Sequence, residues 1–170
     1  MSEIKSTIDL VMERTRDLTM TEEERRAALT NEWTGKARGW IQKYLDERID
    51  ERTLKGNLSA AEKEVPHFKE LMKKELLDFL KLDADNDRIL SLFEDLLGVS
   101  KDPIEGLMKD FLGEIEKERE NREEAVQQEL AGRGVSGSAV VANAARDKSW
   151  TLYLEEEKQR FSSALKEIKL

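Results

Sequence analysis

The side chains that come closest to a site for chemistry lie in the segment 83–94, between two stretches with helical patterning. Acidic residues stand at positions one, three, five and twelve of this segment, namely Asp83, Asp85, Asp87 and Glu94. Calcium loops of the EF-hand type place carboxylates there because Ca²⁺ prefers oxygen ligands, but they need glycine at position six. That position is Arg88. The segment therefore indicates either a Ca²⁺ site or an acidic turn in which Asp85 or Asp87 caps the next helix.

A second candidate is the pair Glu64 and His67, which has the Glu-x-x-His spacing used in di-iron helical bundles. The chain has one histidine, so a complete site of this type needs two chains. Pro66 also disturbs the helical turn that would hold both ligands. The pattern indicates a metal–carboxylate enzyme in one interpretation and an exposed or capping histidine in the other.

The glycines at 132, 134 and 137 have the G-x-G-x-x-G spacing of dinucleotide-binding loops. That motif requires a buried strand before it, whereas residues 123–130 have helical character. We therefore interpret the stretch as a helix C-terminus, with Gly132 or Gly134 supplying the left-handed residue. The sequence predicts Gly134 at or next to a helix end, and it predicts no cofactor.

Composition excludes several classes of partner. Charged residues make up 39% of the chain, and its net charge is −8. No third of the sequence is basic overall, which argues against nucleic acid and anionic membrane surfaces as partners. The chain contains no cysteine, so disulfides and thiolate chemistry are excluded. No apolar run approaches the roughly 20 residues that span a bilayer, and we expect a cytoplasmic protein.

Apolar residues recur at helical spacing along the chain and predict an all-α fold. Thr21 and Glu24 form a capping box at the start of a predicted helix over 22–56. One face of that helix carries Trp33, Trp40 and Tyr44, and Gly35 and Gly39 share a face as well. The two glycines predict close approach by another element. That element is either a packed helix of the same chain or a partner helix in a shallow aromatic groove.

The remaining helices are predicted from caps and apolar faces. A narrow seam from Ile4 to Leu18 predicts a short amphipathic helix or a coiled-coil dimer seam. Gly56-Asn57 ends the aromatic helix, Ser59 with Glu62 caps the next one, and Pro66 either kinks that helix or lies near its start. We expect the segment 66–98 to form the centre of the core.

The C-terminal third is predicted to form a helical pair. Asp102-Pro103 begins a helix whose inward face comprises Leu107, Met108, Phe111, Leu112 and Ile115. The segment 116–124 lacks apolar residues and is expected to project beyond the core on ion pairs. Asp147 caps a last helix whose apolar face comprises Trp150, Leu154, Phe161, Leu165 and Ile168.

These elements predict a helical bundle with long charged helices and an outlying C-terminal helical hairpin. The predicted division is a bundle core over 1–115 and a hairpin over 116–170, hinged at 132–138, or else one continuous domain.

The segments 4–13 and 133–141 resemble small bacterial all-helical proteins that have no assigned function. Neither segment is a motif with known chemistry, so the resemblance implies no site residue. It favours a bacterial, cytoplasmic origin.

The leading functional hypothesis is a non-enzymatic helical interaction or scaffold protein that forms a homodimer or binds another protein. The predicted partner-binding residues are Trp33, Gly35, Gly39, Trp40, Tyr44, Trp150, Leu154 and Phe161. The alternatives are a Ca²⁺-responsive module that uses the loop 83–94 and a metal–carboxylate enzyme.

Overall fold

The computed structural model describes Ile8, Val11, residues 21–135, Gly137 and residues 148–170. In these residues the chain is all-α, without strands, as predicted. The helices are α1 (Glu22–Leu45), α2 (Glu51–Glu64), α3 (Phe68–Phe79), α4 (Asp87–Asp95), α5 (Asp102–Gly132) and α6 (Lys148–Glu167). None of them is long and apolar enough to cross a membrane.

The chain forms two compact units, Met1–Met72 and Lys73–Leu170. The division of the sequence near residue 115 stays a prediction. In the first unit, the predicted capping box begins α1: the Glu24 carboxylate accepts from the Thr21 amide at 2.8 Å, and the Thr21 hydroxyl accepts from the Glu24 amide at 3.2 Å. The buried side chains recur at steps of three and four residues, as an amphipathic helix requires; they are Trp33, Ala37, Ile41, Leu54, Leu58, Ala61, Phe68 and Met72.

The predicted end of the aromatic helix at Gly56 is wrong. The first helix ends at Leu45, and α2 begins after Asp50, whose carboxylate accepts the Thr53 amide at 2.8 Å. The Thr53 side chain, and then this hydrogen bond from the Thr53 amide, lower the pKa of Asp50. Gly56 and the supposed cap Ser59 lie inside α2, because the cost of one glycine, about 1 kcal/mol, is smaller than the gain from burying Leu54, Leu58 and Ala61 on one face.

Pro66 lies in the turn between α2 and α3, two residues before α3 begins. The next residue, His67, has a φ of 65°. Of the two predicted roles for Pro66, the one near a helix start is confirmed. In the seam predicted for residues 4–18, Ile8 and Val11 are helical and exposed; the other members, and the predicted cap Asp147, lie outside the described residues.

The second unit pairs α5 with α6. Phe111 meets Phe161 edge-to-face with ring centroids 5.5 Å apart, and Arg122 Nη1 donates to Ser149 Oγ at 2.8 Å. From the first of these contacts to the second, the residue number increases along α5 and decreases along α6, so the two helices run antiparallel. The 31 residues of α5 extend about 46 Å at 1.5 Å per residue.

The predicted inward face of α5 needs corrections. Leu107, Met108, Phe111 and Ile115 are half-buried as expected, but Leu112 is 46% exposed. Asp102 is the first helical residue rather than the cap, although Pro103 does lie in the first turn. The polar segment 116–124 carries the predicted ion pairs, among them Arg119 with Glu116 and Arg122 with Glu118. It does not project freely throughout, since Glu118 and Arg122 are half-buried.

The C-terminus of α5 confirms the prediction for Gly134. Gly134 has a φ of 76° and donates its amide to the Ala131 carbonyl at 3.0 Å, while the Val135 amide donates to the Leu130 carbonyl at 2.9 Å. These two bonds form a Schellman motif, in which a left-handed residue satisfies the last helical carbonyls.

We expect Gly134→Ala to lower the free energy of unfolding by about 1 kcal/mol, because a Cβ disfavours positive φ. Chemical denaturation measures the change. The matched control is Gly132→Ala: Gly132 is the last residue of α5, and a Cβ added to it would meet no described atom within 4 Å, so this change should not destabilise. An unaffected Gly134→Ala variant would contradict the argument from positive φ.

Candidate functional site

The predicted aromatic surface of α1 is in large part the core of the first unit. Trp33, Trp40 and Phe68 contact one another edge-to-face, with ring centroids 6.4, 5.5 and 5.9 Å apart. Trp33 and Phe68 are buried, and Trp40 and Tyr44 are half-buried. Lys36 Nζ lies 3.9 Å from the centroid of the Trp33 ring. The two tryptophans therefore stabilise their own unit, which leaves only part of Trp40 and Tyr44 for a partner.

Gly35 and Gly39 do not mark a close approach within the chain. A Cβ added at either position would meet no described atom within 4 Å. The prediction that another element of this chain packs tightly over them is therefore wrong for the part of the chain that the structure describes.

The acidic loop forms a turn held by its own hydrogen bonds. The buried Asn86 side chain accepts a hydrogen bond from the Lys81 amide at 3.0 Å and donates one to the Lys81 carbonyl at 2.7 Å. It also donates to the Ala84 carbonyl at 2.8 Å. The Asp85 carboxylate accepts the Asp87 amide at 2.9 Å. The segment forms a turn as predicted, but the predicted cap is wrong: Asn86 is the N-cap of α4, without a side-chain cap hydrogen bond, and Asp87 is the first helical residue.

The four predicted Ca²⁺ ligands do not converge. Asp83 pairs with Lys158 at 3.0 Å, and Glu94 lies 3.8 Å from Lys101. The hydrogen bond from Lys158 lowers the pKa of Asp83. Within residues 21–135 and 148–170, no three acidic or histidine side chains are grouped so as to hold a metal.

The Glu64 and His67 pair is split by the turn at Pro66. Glu64 is the last residue of α2, and His67 follows it in the turn. Both side chains are exposed. The structure does not place them one helical turn apart on a single helix, as the di-iron motif requires.

The predicted partner face of α6 lies against α5 instead. Trp150, Phe161 and Leu165 are buried, and Leu154 is half-buried. Trp150 stacks on Tyr153 with centroids 5.5 Å apart. The Arg122 guanidinium lies 5.4 Å from both of these ring centroids and donates to Glu118 at 2.7 Å. The seam between α5 and α6 thus combines ring packing with cation–π contacts.

A buried carboxylate lies within this seam. Glu157 is 3% exposed and stands seven residues after Trp150 and four before Phe161, on the buried face of α6. Arg160 Nη1 contacts Glu157 Oε1 at 2.5 Å, whereas Oε2 is buried without a hydrogen-bond partner among the described residues. Sequence reasoning missed Glu157, although its position in the apolar repeat of α6 was a readable signal.

An open cleft of about 610 Å³ adjoins the same part of α6. Phe111 and Ala164 provide its apolar surface, and Arg160 lines it with a guanidinium that is 5.5 Å from the Phe111 ring centroid. The other lining residues are polar or acidic: Glu156, Gln159, Ser163 and Glu167. We take this cleft together with Glu157 as the candidate site.

The comparisons with known proteins add no constraint on the site. No protein-family model, curated protein or solved structure matches the chain.

The groups around the candidate site raise the pKa of Tyr153. Burial, and then the negative charges of Glu157, Glu118 and Glu114, raise the pKa of the Tyr153 phenol above its ordinary value of 10.0. The folded chain therefore holds this proton more tightly than the unfolded chain does. The resulting stabilisation is complete below the ordinary value and is lost as the pH rises through the raised one.

We expect the ultraviolet titration of Tyr153 to have its midpoint above 10.0. The chain has two tyrosines, so the measurement uses the Tyr44→Phe variant, with circular dichroism confirming that the helices persist. Adding Glu157→Gln should move the midpoint back towards the ordinary value. A midpoint at or below that value in the folded protein would contradict the described surroundings of Tyr153.

Proposed function

We propose that the chain is a non-enzymatic helical interaction protein whose α5–α6 pair binds other protein chains, a second copy of itself among them. The outer surface of α5 supports this most directly. Leu112 and Val126, two heptads apart, are 46% and 39% exposed, although apolar residues on an amphipathic helix normally face a core. Such positions are typical of a helix that offers a seam to a partner.

The placement of titratable groups favours binding over catalysis. His67 lies in an exposed turn, away from any grouped acidic side chains among the residues that the structure describes. Several carboxylates on α5 form helix-surface ion pairs, among them Glu116 and Glu123 with Arg119. Pairs of this type stabilise a solvated helix by a few tenths of a kcal/mol, which is a structural use of these carboxylates rather than a catalytic one.

The same outer surface suits a second copy of the chain. Between Leu112 and Val126 it carries Glu116, Arg119 and Glu123, so acidic and basic groups alternate. In an antiparallel copy related by a two-fold axis, Leu112 of one chain can pack against Val126 of the other, and this apolar contact rather than charge pairing favours the second copy. The buried face of α6 no longer supports self-association, because Phe161 and Leu165 are each 2% exposed within their own chain.

We expect light scattering to show a mass that rises from monomer towards dimer as the concentration increases through the micromolar range. Leu112→Asp combined with Val126→Asp should keep the chain monomeric, since both changes place charge in the proposed seam. The control is Leu152→Asp on α6, where the residue is 67% exposed. A constant monomer mass would remove the second copy as a partner, and equal effects of the two sets of variants would remove the outer surface of α5 as the interface.

A further inference from the structure

The buried carboxylate of Glu157 is incompletely bonded by the residues that the structure describes. An ionised carboxylate accepts hydrogen bonds at both oxygens, yet Oε2 has no partner among the described residues. Such a group costs stability, and a methionine of similar shape at this position would avoid that cost. The unbonded Oε2 can accept hydrogen bonds from a ligand that supplies donors.

Arg160 covers Glu157 only in part. It comes from the same helix three residues later and reaches Oε1 with a single nitrogen, Nη1. Its other contacts are a Glu114 oxygen at 3.6 Å and the face of Phe111. The Arg160 side chain is 58% exposed and the Glu157 side chain 4% exposed, so the guanidinium reaches the buried carboxylate from the solvent side. A group that displaces it must supply an equivalent ion pair, because an unpaired buried carboxylate is costly.

The cleft beside Arg160 has the size and charge for a cationic side chain. Its volume of about 610 Å³ lies in the range of small-molecule sites, roughly 300–1,000 Å³. Glu156 and Glu167 line it, and Glu114 and Glu157 contact the same Arg160. Two carboxylates thus contact the Arg160 guanidinium and two more line the cleft, and Arg160 is the residue that connects Glu157 with the cleft. The whole chain is acidic at −8.

We propose that Glu157 binds the guanidinium of an arginine carried by a basic segment of a protein partner, which enters through the cleft and displaces Arg160. An incoming guanidinium can present two parallel N–H groups and satisfy both carboxylate oxygens, which Arg160 does not do. The incoming guanidinium can also lie over the face of the Phe111 ring, where the Arg160 guanidinium lies in the free chain. Lysine fits less well because its ammonium is a point charge. This inference rests on the proposed interaction function and specifies one site for it.

The first test is a titration of the full chain with the acetylated, amidated peptide Ala-Ala-Arg-Ala-Ala, followed by backbone NMR. We expect saturable shifts centred on residues 156–167 and 111, weaker ones with lysine in place of arginine, and none with citrulline, which keeps the shape without the charge. Glu157→Gln should weaken binding of the arginine peptide at least tenfold. Glu155→Gln, the same change at a 60% exposed position of α6, should leave it within twofold.

The second test supplies the guanidinium separately. Arg160→Ala removes the internal group and leaves Glu157 without that partner, so ethylguanidinium should raise the melting temperature of this variant more than that of the unmodified chain. The rise should vanish when Glu157→Gln is added. This measurement remains informative if Arg160→Ala is destabilised, because it records how far ethylguanidinium raises the melting temperature of that variant.

The outcomes separate the site from the wider function. Equal losses with Glu157→Gln and Glu155→Gln would show that general electrostatics binds the peptide, and this would overturn the site. Equal binding of the citrulline peptide, or no rescue by ethylguanidinium, would also overturn it. If ethylguanidinium stabilises Arg160→Ala but the arginine peptide does not bind the full chain, the site binds a small cation, and the proposed protein partner is wrong. Self-association through Leu112 and Val126 together with failure of both tests would leave the proposed function standing and remove only this site.

Discussion

The antiparallel packing of α5 on α6 is the constraint on which the candidate site depends. The edge-to-face contact of Phe111 with Phe161 fixes which turns of the two helices face each other. With that register set, Arg122 falls over Trp150 and Tyr153, and Arg160 falls beside Glu114. A slip of one turn would separate all of these groups, because neighbouring turns of a helix lie about 5.4 Å apart.

This seam also carries a conflict between stability and charge. Its apolar members, Trp150, Phe161 and Leu165, gain stability from burial. Glu157, in the same stripe, loses the hydration of one oxygen without a described hydrogen bond in return. The chain tolerates this because Arg160 compensates the other oxygen and because burial of the apolar residues on the same face offsets the cost. Local violations of this type are where binding sites are expected.

Local signals in the sequence predicted the fold better than they predicted the site. The capping box at Thr21 and the left-handed Gly134 depend on a few neighbouring residues, so both could be read directly. The break at Asp50 was missed because Gly56 gave a more familiar helix-ending signal, while burial of Leu54 and Leu58 decided the outcome. Helix boundaries of this type depend on packing between helices, which periodicity alone does not report.

The candidate site depended on contacts between residues distant in sequence. Trp33 and Trp40 were correctly placed on one face, but their neighbour Phe68 belongs to another helix, and its ring converts a predicted partner surface into a core. The carboxylates of the loop 83–94 have the spacing of Ca²⁺ ligands, yet Asp83 forms an ion pair with Lys158, which is distant in sequence. Glu157 was one acidic residue among many until the register of α5 against α6 showed that it is buried.

The candidate site exists only if α5 and α6 of the same chain form this seam. The most direct measurement is an isotope-filtered NMR experiment on an equal mixture of labelled and unlabelled protein, observing the ring protons of Phe111 and Phe161. The account predicts a strong contact between these rings in uniformly labelled protein and none in the filtered spectrum, which detects only contacts between chains. A Phe111–Phe161 contact that appears in the filtered spectrum would show that the helices pair between copies, and this would contradict the account.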